Sequence, residues 1–193
     1  MSLRERKKIK TKNRIFEVAG RLFKEKGFES TTIDEITTEA EIGKGTFFNY
    51  FPTKTALLRE FGKERDEFVR NLVMEELGKN IPIKEKIKNI LVCAAKSNEN
   101  DKELTKVFVI EYLRNYGNEE RTTIRLKHLL EVLLENGAKN GEVKNGIEVK
   151  MAAENLTAIY FHSLMEWLWS DGRHLFSEDI SKKIDLVFDG IKG

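Results

Sequence analysis

The sequence predicts an all-α protein: three N-terminal helices, then a larger C-terminal helical region, about nine helices in all. Three observations carry this. Two prolines in 193 residues leave the chain few breaks. Apolar residues recur at i, i+3 and i+4 along most of its length. Glycines and Thr/Asn–x–x–Glu pairs stand where those runs stop and start. A composition 40% hydrophobic and 34% charged allows a substantial core beneath a well-solvated surface.

The first helix is expected from about Thr11 to Lys26, with Ile15, Val18, Ala19, Leu22 and Phe23 on one face and Gly27 at its C-terminal stop. Thr32 with Glu35 forms a capping box that opens a short helix whose apolar positions are Ile33, Ile36 and Ala40. A tight turn with Gly43 leads to a second short helix over Lys44–Phe51, and Pro52 ends it. Thr53 can cap a longer helix over about 54–78, with Leu57, Leu58, Phe61, Phe68, Leu72 and Leu77 apolar. Beyond Pro82 the spacing predicts helices at about 83–97, 100–116, 119–139, 147–170 and 178–190. The expected domains are 1–54 and 55–193, with the 54–78 helix belonging to both.

Two short helices joined by a tight turn, after a longer helix, make a helix-turn-helix pattern. The stretch GKGTFFNYFPTK holds four aromatic rings within five residues. Helical spacing divides them: Phe47 and Phe51 share an inward face, while Phe48 and Tyr50 turn outward. Lys44, Gly45 and Asn49 lie beside Phe48. Lys44 can donate to guanine acceptors, Asn49 to adenine or phosphate, and Tyr50 and Lys54 to phosphate. Thr31 and Thr32 would bind phosphate from the start of the preceding helix. The first 14 residues carry seven Lys/Arg against Glu5, although the whole chain is only +2. That imbalance implies an anionic partner.

The order of these elements resembles the DNA-binding domain of the TetR family of bacterial transcriptional repressors over residues 11–61. The resemblance rests on RIFEVAGRLFKEKGFESTTIDEITTEAEIGKGTFFNYFPTKTALL, and above all on Gly45, Thr46, Phe47 to Phe51 and Lys54. It implies a homodimer with a C-terminal ligand domain. It places DNA contacts on Thr32, Lys44, Gly45, Thr46, Phe48, Asn49, Tyr50 and Lys54. Phe48 stands where the family often has Tyr, so ring contact replaces a hydroxyl–phosphate bond. Asn49 stands where His, Tyr or Trp is common.

In the C-terminal half, the 147–170 helix reads as apolar on more than one side, which predicts burial on both. Leu156, Tyr160, Leu164, Leu168, Ile184, Val187 and Phe188 are candidates for an isologous two-fold interface. Phe108, Tyr112, Tyr116, Phe161, His162, Met165 and Trp167 are candidates for a pocket taking a small, apolar or aromatic effector. His128, His162 and His174 lack metal-ligand spacing, so no metal or cofactor is expected. Nucleotide-loop motifs and catalytic triads are missing, which argues against an enzyme. Cys93, the only cysteine, excludes an internal disulfide and reads as a small buried hydrophobe. With no apolar run of membrane-spanning length and no apolar leader, a cytoplasmic protein is expected. The favoured reading is a ligand-responsive regulator that binds a pseudo-palindromic operator. A helical carrier or enzyme without specific DNA binding, and a nonspecific nucleic-acid architectural protein, are the alternatives.

Overall fold

The structure is a computed structural model that describes residues 2–114, 122–172 and 174–190, with side chains of the seventh helix from residue 125 onward. Among the described residues there are nine helices and no strand: α1 Leu3–Lys26, α2 Ile33–Glu39, α3 Lys44–Tyr50, α4 Lys54–Leu77, α5 Ile83–Glu99, α6 Lys102–Arg114, α7 Thr122–Lys139, α8 Val149–Trp169 and α9 Phe176–Asp189. The all-α expectation holds. The chain forms two compact units. The first runs through Glu64 and includes Glu103–Arg114; the second takes Arg65–Lys102 and the chain from α7 onward. The division therefore falls within α4, ten residues past the expected boundary at 54, and most of α6 joins the N-terminal unit.

The first unit is built on one cluster. Ile15, Val18, Ala19, Leu22 and Phe23 of α1 pack with Phe28, Ile36, Ala40, Phe47, Phe51, Leu57, Leu58 and Leu104. Phe47 and Phe51 are 0% and 2% exposed and Phe48 is 49% exposed, as their spacing predicts, whereas Tyr50, expected outward, is half-buried and packs against the cluster. Phe16 bridges the α1 and α4 faces, its ring centroid 4.4 Å from Phe61 and 5.7 Å from Phe51. Phe108 of α6 also packs against this cluster. The structure thus gives this pocket candidate a place in the N-terminal core.

α1 begins eight residues earlier than expected. Ser2 accepts from the Glu5 amide at 3.2 Å, and the Glu5 carboxylate accepts from the Ser2 amide at 2.6 Å. This capping box starts the helix at Leu3. Arg and Lys are good helix formers, so the basic segment continues the helix rather than fraying from it.

In the second unit, α5 packs on α9, α7 on α8, and α8 on α9. Gly137 of α7 permits a close approach to α5: a Cβ there would stand 2.8 Å from a side-chain carbon of Ile83. Two helix starts lack a capping side chain of their own and borrow one. The Glu142 carboxylate accepts from the Ile83 amide at 2.6 Å, and the Glu99 carboxylate accepts from Ser177 N at 2.7 Å. Both place negative charge at a helix N-terminus. Lys84 and Lys88 pair with Asp185, tying α5 to α9.

The α8 face differs from expectation. Leu156, Tyr160, Leu164 and Leu168 lie in their own unit's core, as does Ile184 of α9. α8 has one buried face, and those residues occupy it with Ala153 and Trp167. The opposite stripe is exposed: Met151, Asn155, Ala158, His162 and Trp169, with half-buried Met165 between them. On α9, Leu186 and Val187 are exposed and Phe188 is half-buried. Trp167 stacks on Phe176 at 5.9 Å, under the Lys102 ammonium, so it too is core. Phe161 and Tyr112 are half-buried, and Tyr116 lies outside the described residues. Cys93 is exposed rather than buried, because it sits on the outer face of α5.

Phe47→Ala should lower the unfolding free energy by about 3–5 kcal/mol. Phe48→Ala should change it by less than about 1 kcal/mol. Denaturant titration of the two variants reads both.

Candidate nucleic-acid interface

α2 is held at both ends by short polar contacts. Thr32 caps it: its hydroxyl accepts from the Glu35 amide at 3.2 Å, and the Glu35 carboxylate accepts from the Thr32 amide at 2.8 Å. The neighbouring Lys26 ammonium, and then Thr32, hold the Glu35 carboxyl down at about 2. After Ala40 the chain reverses at Glu41, which adopts φ 58. The left-handed residue of this turn is therefore Glu41, while Gly43 sits at φ −76 and caps the next helix through its backbone. The Gly43 carbonyl accepts from Thr46 N at 2.9 Å and Phe47 N at 3.2 Å.

α3 then presents its outer side. Lys44, Gly45, Phe48 and Asn49 are exposed, and Thr46 and Tyr50 are half-buried at the flanks. A Cβ at Gly45 would meet nothing within 4 Å. The Lys44 ammonium is 2.6 Å from Asp34 of α2, and both side chains are more than half exposed. An exposed pair of this kind is weak and exchanges readily for a stronger anion. Lys44, Gly45, Phe48 and Asn49 thus share one continuous exposed face of a short helix, with half-buried Thr46 and Tyr50 at its edges.

Two candidates lie elsewhere. Thr31 is 1% exposed; its hydroxyl donates to the Gly27 carbonyl at 2.8 Å. It seals the end of α1 and does not face a phosphate. Lys54 also turns inward. Its ammonium donates to the carbonyls of Phe28, Glu29 at 3.2 Å and Thr31 at 2.7 Å, and lies 4.4 Å above the Phe28 ring. An ammonium has three N–H donors, and three carbonyls use them all. Desolvation there pushes the Lys54 ammonium below its ordinary range. In this structure Lys54 ties the α1–α2 connection to the first turn of α4, and no donor is left for DNA. Thr32, by contrast, remains exposed beside Lys54's turn.

Residues 15–61 match the family described as bacterial regulatory proteins, tetR family. Residues 15–61 carry a TetR-family DNA-binding domain. A fatty acid metabolism regulator protein of Bacillus subtilis is 25% identical to the chain over 183 residues, covering 92% of this chain and 93% of that protein. The fold is similar to the solved structure of FadR from Bacillus subtilis in complex with stearoyl-CoA, with a TM-score of 0.78 at 20% identity, covering 93% and 99% of the two chains. It is also similar to Thermus thermophilus FadR, a TetR-family transcriptional repressor in complex with lauroyl-CoA, with a TM-score of 0.72 at 25% identity, covering 94% and 95%. The TetR-family match spans α1 from Ile15 to Phe61 of α4, and so contains the whole interface just described.

Sequence reasoning missed the acidic side of this TetR-family domain. Asp34, Glu35 and Glu39 are engaged by Lys44, Lys26 and Arg21 respectively. The signal was present in the string IDEITTEAE, whose carboxylates exceed its cations.

Lys54→Met should lower stability by about 1.5–3 kcal/mol, the range for hydrogen bonds to a charged group. It should leave the salt dependence of DNA binding unchanged. Loss of a phosphate contact would instead make the slope of log affinity against log salt shallower by about 0.9.

Proposed function

We propose that this regulator binds a pseudo-palindromic operator as a homodimer, reads bases through Lys44 and Asn49 of α3, and releases or engages DNA when a long-chain acyl thioester binds its C-terminal unit. The observation that carries the DNA half is the open α3 face over a fully buried Phe47 and Phe51. Thr32, Thr46, Phe48 and Tyr50 are the flanking backbone and groove-wall contacts.

Two observations support the remainder. The exposed stripe of Met151, Ala158, His162 and Trp169 on α8, beside Leu186 and Val187 on α9, supplies an apolar surface for an isologous contact. A two-fold pair would set two α3 helices about one duplex turn apart. The similar FadR structures hold stearoyl-CoA and lauroyl-CoA, which fits an apolar effector. The control lies in a difference of effector affinity between DNA-competent and incompetent states.

Selection of bound sites from random duplex should recover an inverted repeat. Lys44→Ala should cost about 1–3 kcal/mol on that site and relax preference at one base pair of each half. Wild-type affinity and selectivity in this variant would defeat the assignment, and would favour a carrier or enzyme that keeps the fold without specific DNA binding.

Stearoyl-CoA and lauroyl-CoA should raise the melting temperature and shift operator affinity together, while free CoA should do neither. Trp169→Glu should lower the apparent mass in sedimentation from dimer to monomer.

A further inference from the structure

We infer that the first two turns of α1 form a second, sequence-independent contact with the duplex backbone. This rests on the reading of the chain as a DNA-binding regulator and deepens it. The starting point is where the charge lies. Residues 11–64, which hold the whole helix-turn-helix, contain nine Lys/Arg and nine Asp/Glu. The α2–α3 segment from Thr32 to Phe51 is worse than neutral: Asp34, Glu35, Glu39 and Glu41 stand against Lys44 alone, a net −3. A groove-reading element of that sign is repelled by the polyanion it approaches. Lys54, the nearest further cation on α4, spends its donors on three backbone carbonyls.

The compensating charge lies on residues 2–10, where Arg4, Arg6, Lys7, Lys8 and Lys10 face one acid, Glu5. All five cations are exposed. None of them makes an ion pair or side-chain hydrogen bond among the described residues. Their neighbours further along α1 do: Lys12 pairs with Glu60 at 3.3 Å, Arg14 with Glu17 at 3.9 Å and Arg21 with Glu25 at 3.0 Å. Charge in the body of the unit is internally matched, and charge on the extension is not.

The extension is also ordered for the task. Its capping box fixes the first turn, and its other end runs without a break into the helix that Ile15, Val18 and Phe23 anchor in the core. Helix propagation from an anchored segment avoids the nucleation cost. Residues 3–10 therefore form a rod about 12 Å long whose five cations spread over more than half of its circumference, with Glu5 and Ile9 in the remaining gap. Charge spread over so wide an arc is not aimed at one base edge, but it suits phosphates, which carry no sequence information.

The test replaces Arg4, Arg6, Lys7 and Lys8 with Gln in the full chain. Gln preserves helix propensity, and these residues pack on nothing, so the melting temperature should be unchanged. Affinity for a short random-sequence duplex is measured across a KCl series, with the selected operator in parallel. Each phosphate contact removed flattens the slope of log affinity against log salt by about 0.9. With four contacts on each protomer of the homodimer, the variant should therefore be shallower by about seven on both duplexes, with its preference for operator over random sequence retained.

A change of less than about two overturns the inference. So does arm-dependent binding to phosphatidylserine–phosphatidylcholine vesicles with an unchanged DNA slope, which would assign the extension to a lipid surface. Failure of the regulator reading shows up separately, as equal affinity of the wild-type protein for operator and random duplex.

Discussion

The burial of two rings, Phe47 and Phe51, is the constraint on which the exposed face of α3 depends. α3 is seven residues long, far below the length at which a helix holds itself together in water. It has no side-chain cap, and its N-cap is a glycine. Its conformation comes from outside, from two rings set four apart that enter the cluster of α1, α2 and α4. Once they are placed, the positions between them have no freedom. Phe48, Asn49 and Lys44 must point away from the protein because Phe47 and Phe51 point into it.

That logic made the buried and exposed sides of α3 legible in the string of residues. Apolar spacing, the Thr32–Glu35 box and Pro52 located α2 and α3 to within a residue, since each is a local signal. The misses fell where the deciding contact is distant in sequence. Thr31 and Lys54 look like phosphate ligands by type and position, yet both end on backbone carbonyls brought near by the fold. The left-handed residue of the turn is Glu41, a place where glycine was the natural expectation; the hydrophobic ends on either side, Ala40 and Ile42, fix that geometry against its local preference.

The C-terminal unit was less readable for a related reason. α9 begins at Phe176, which is fully buried, two residues before its first acidic residue. Its N-cap is Leu175, and the carboxylate that serves the helix start belongs to Glu99, far back in the chain. α8 is so apolar that periodicity could not say which side faces its own core. Packing against α7 and α9 settled it, putting Leu156, Tyr160 and Leu164 inside and leaving Met151, Ala158 and Trp169 outside. The Ser2–Glu5 box, in contrast, was a local signal hidden by the strength of the basic composition around it.

One contact has a mechanical side. Lys54 is the first residue of α4, and its side chain grips the loop that delivers Thr32 to the head of α2. The same loop is held by Arg114 of α6, which engages Glu29. A tilt at the start of α4 would have to carry that loop with it or break three hydrogen bonds to carbonyls. The lysine is thus a short tether between the first turn of α4 and the head of α2.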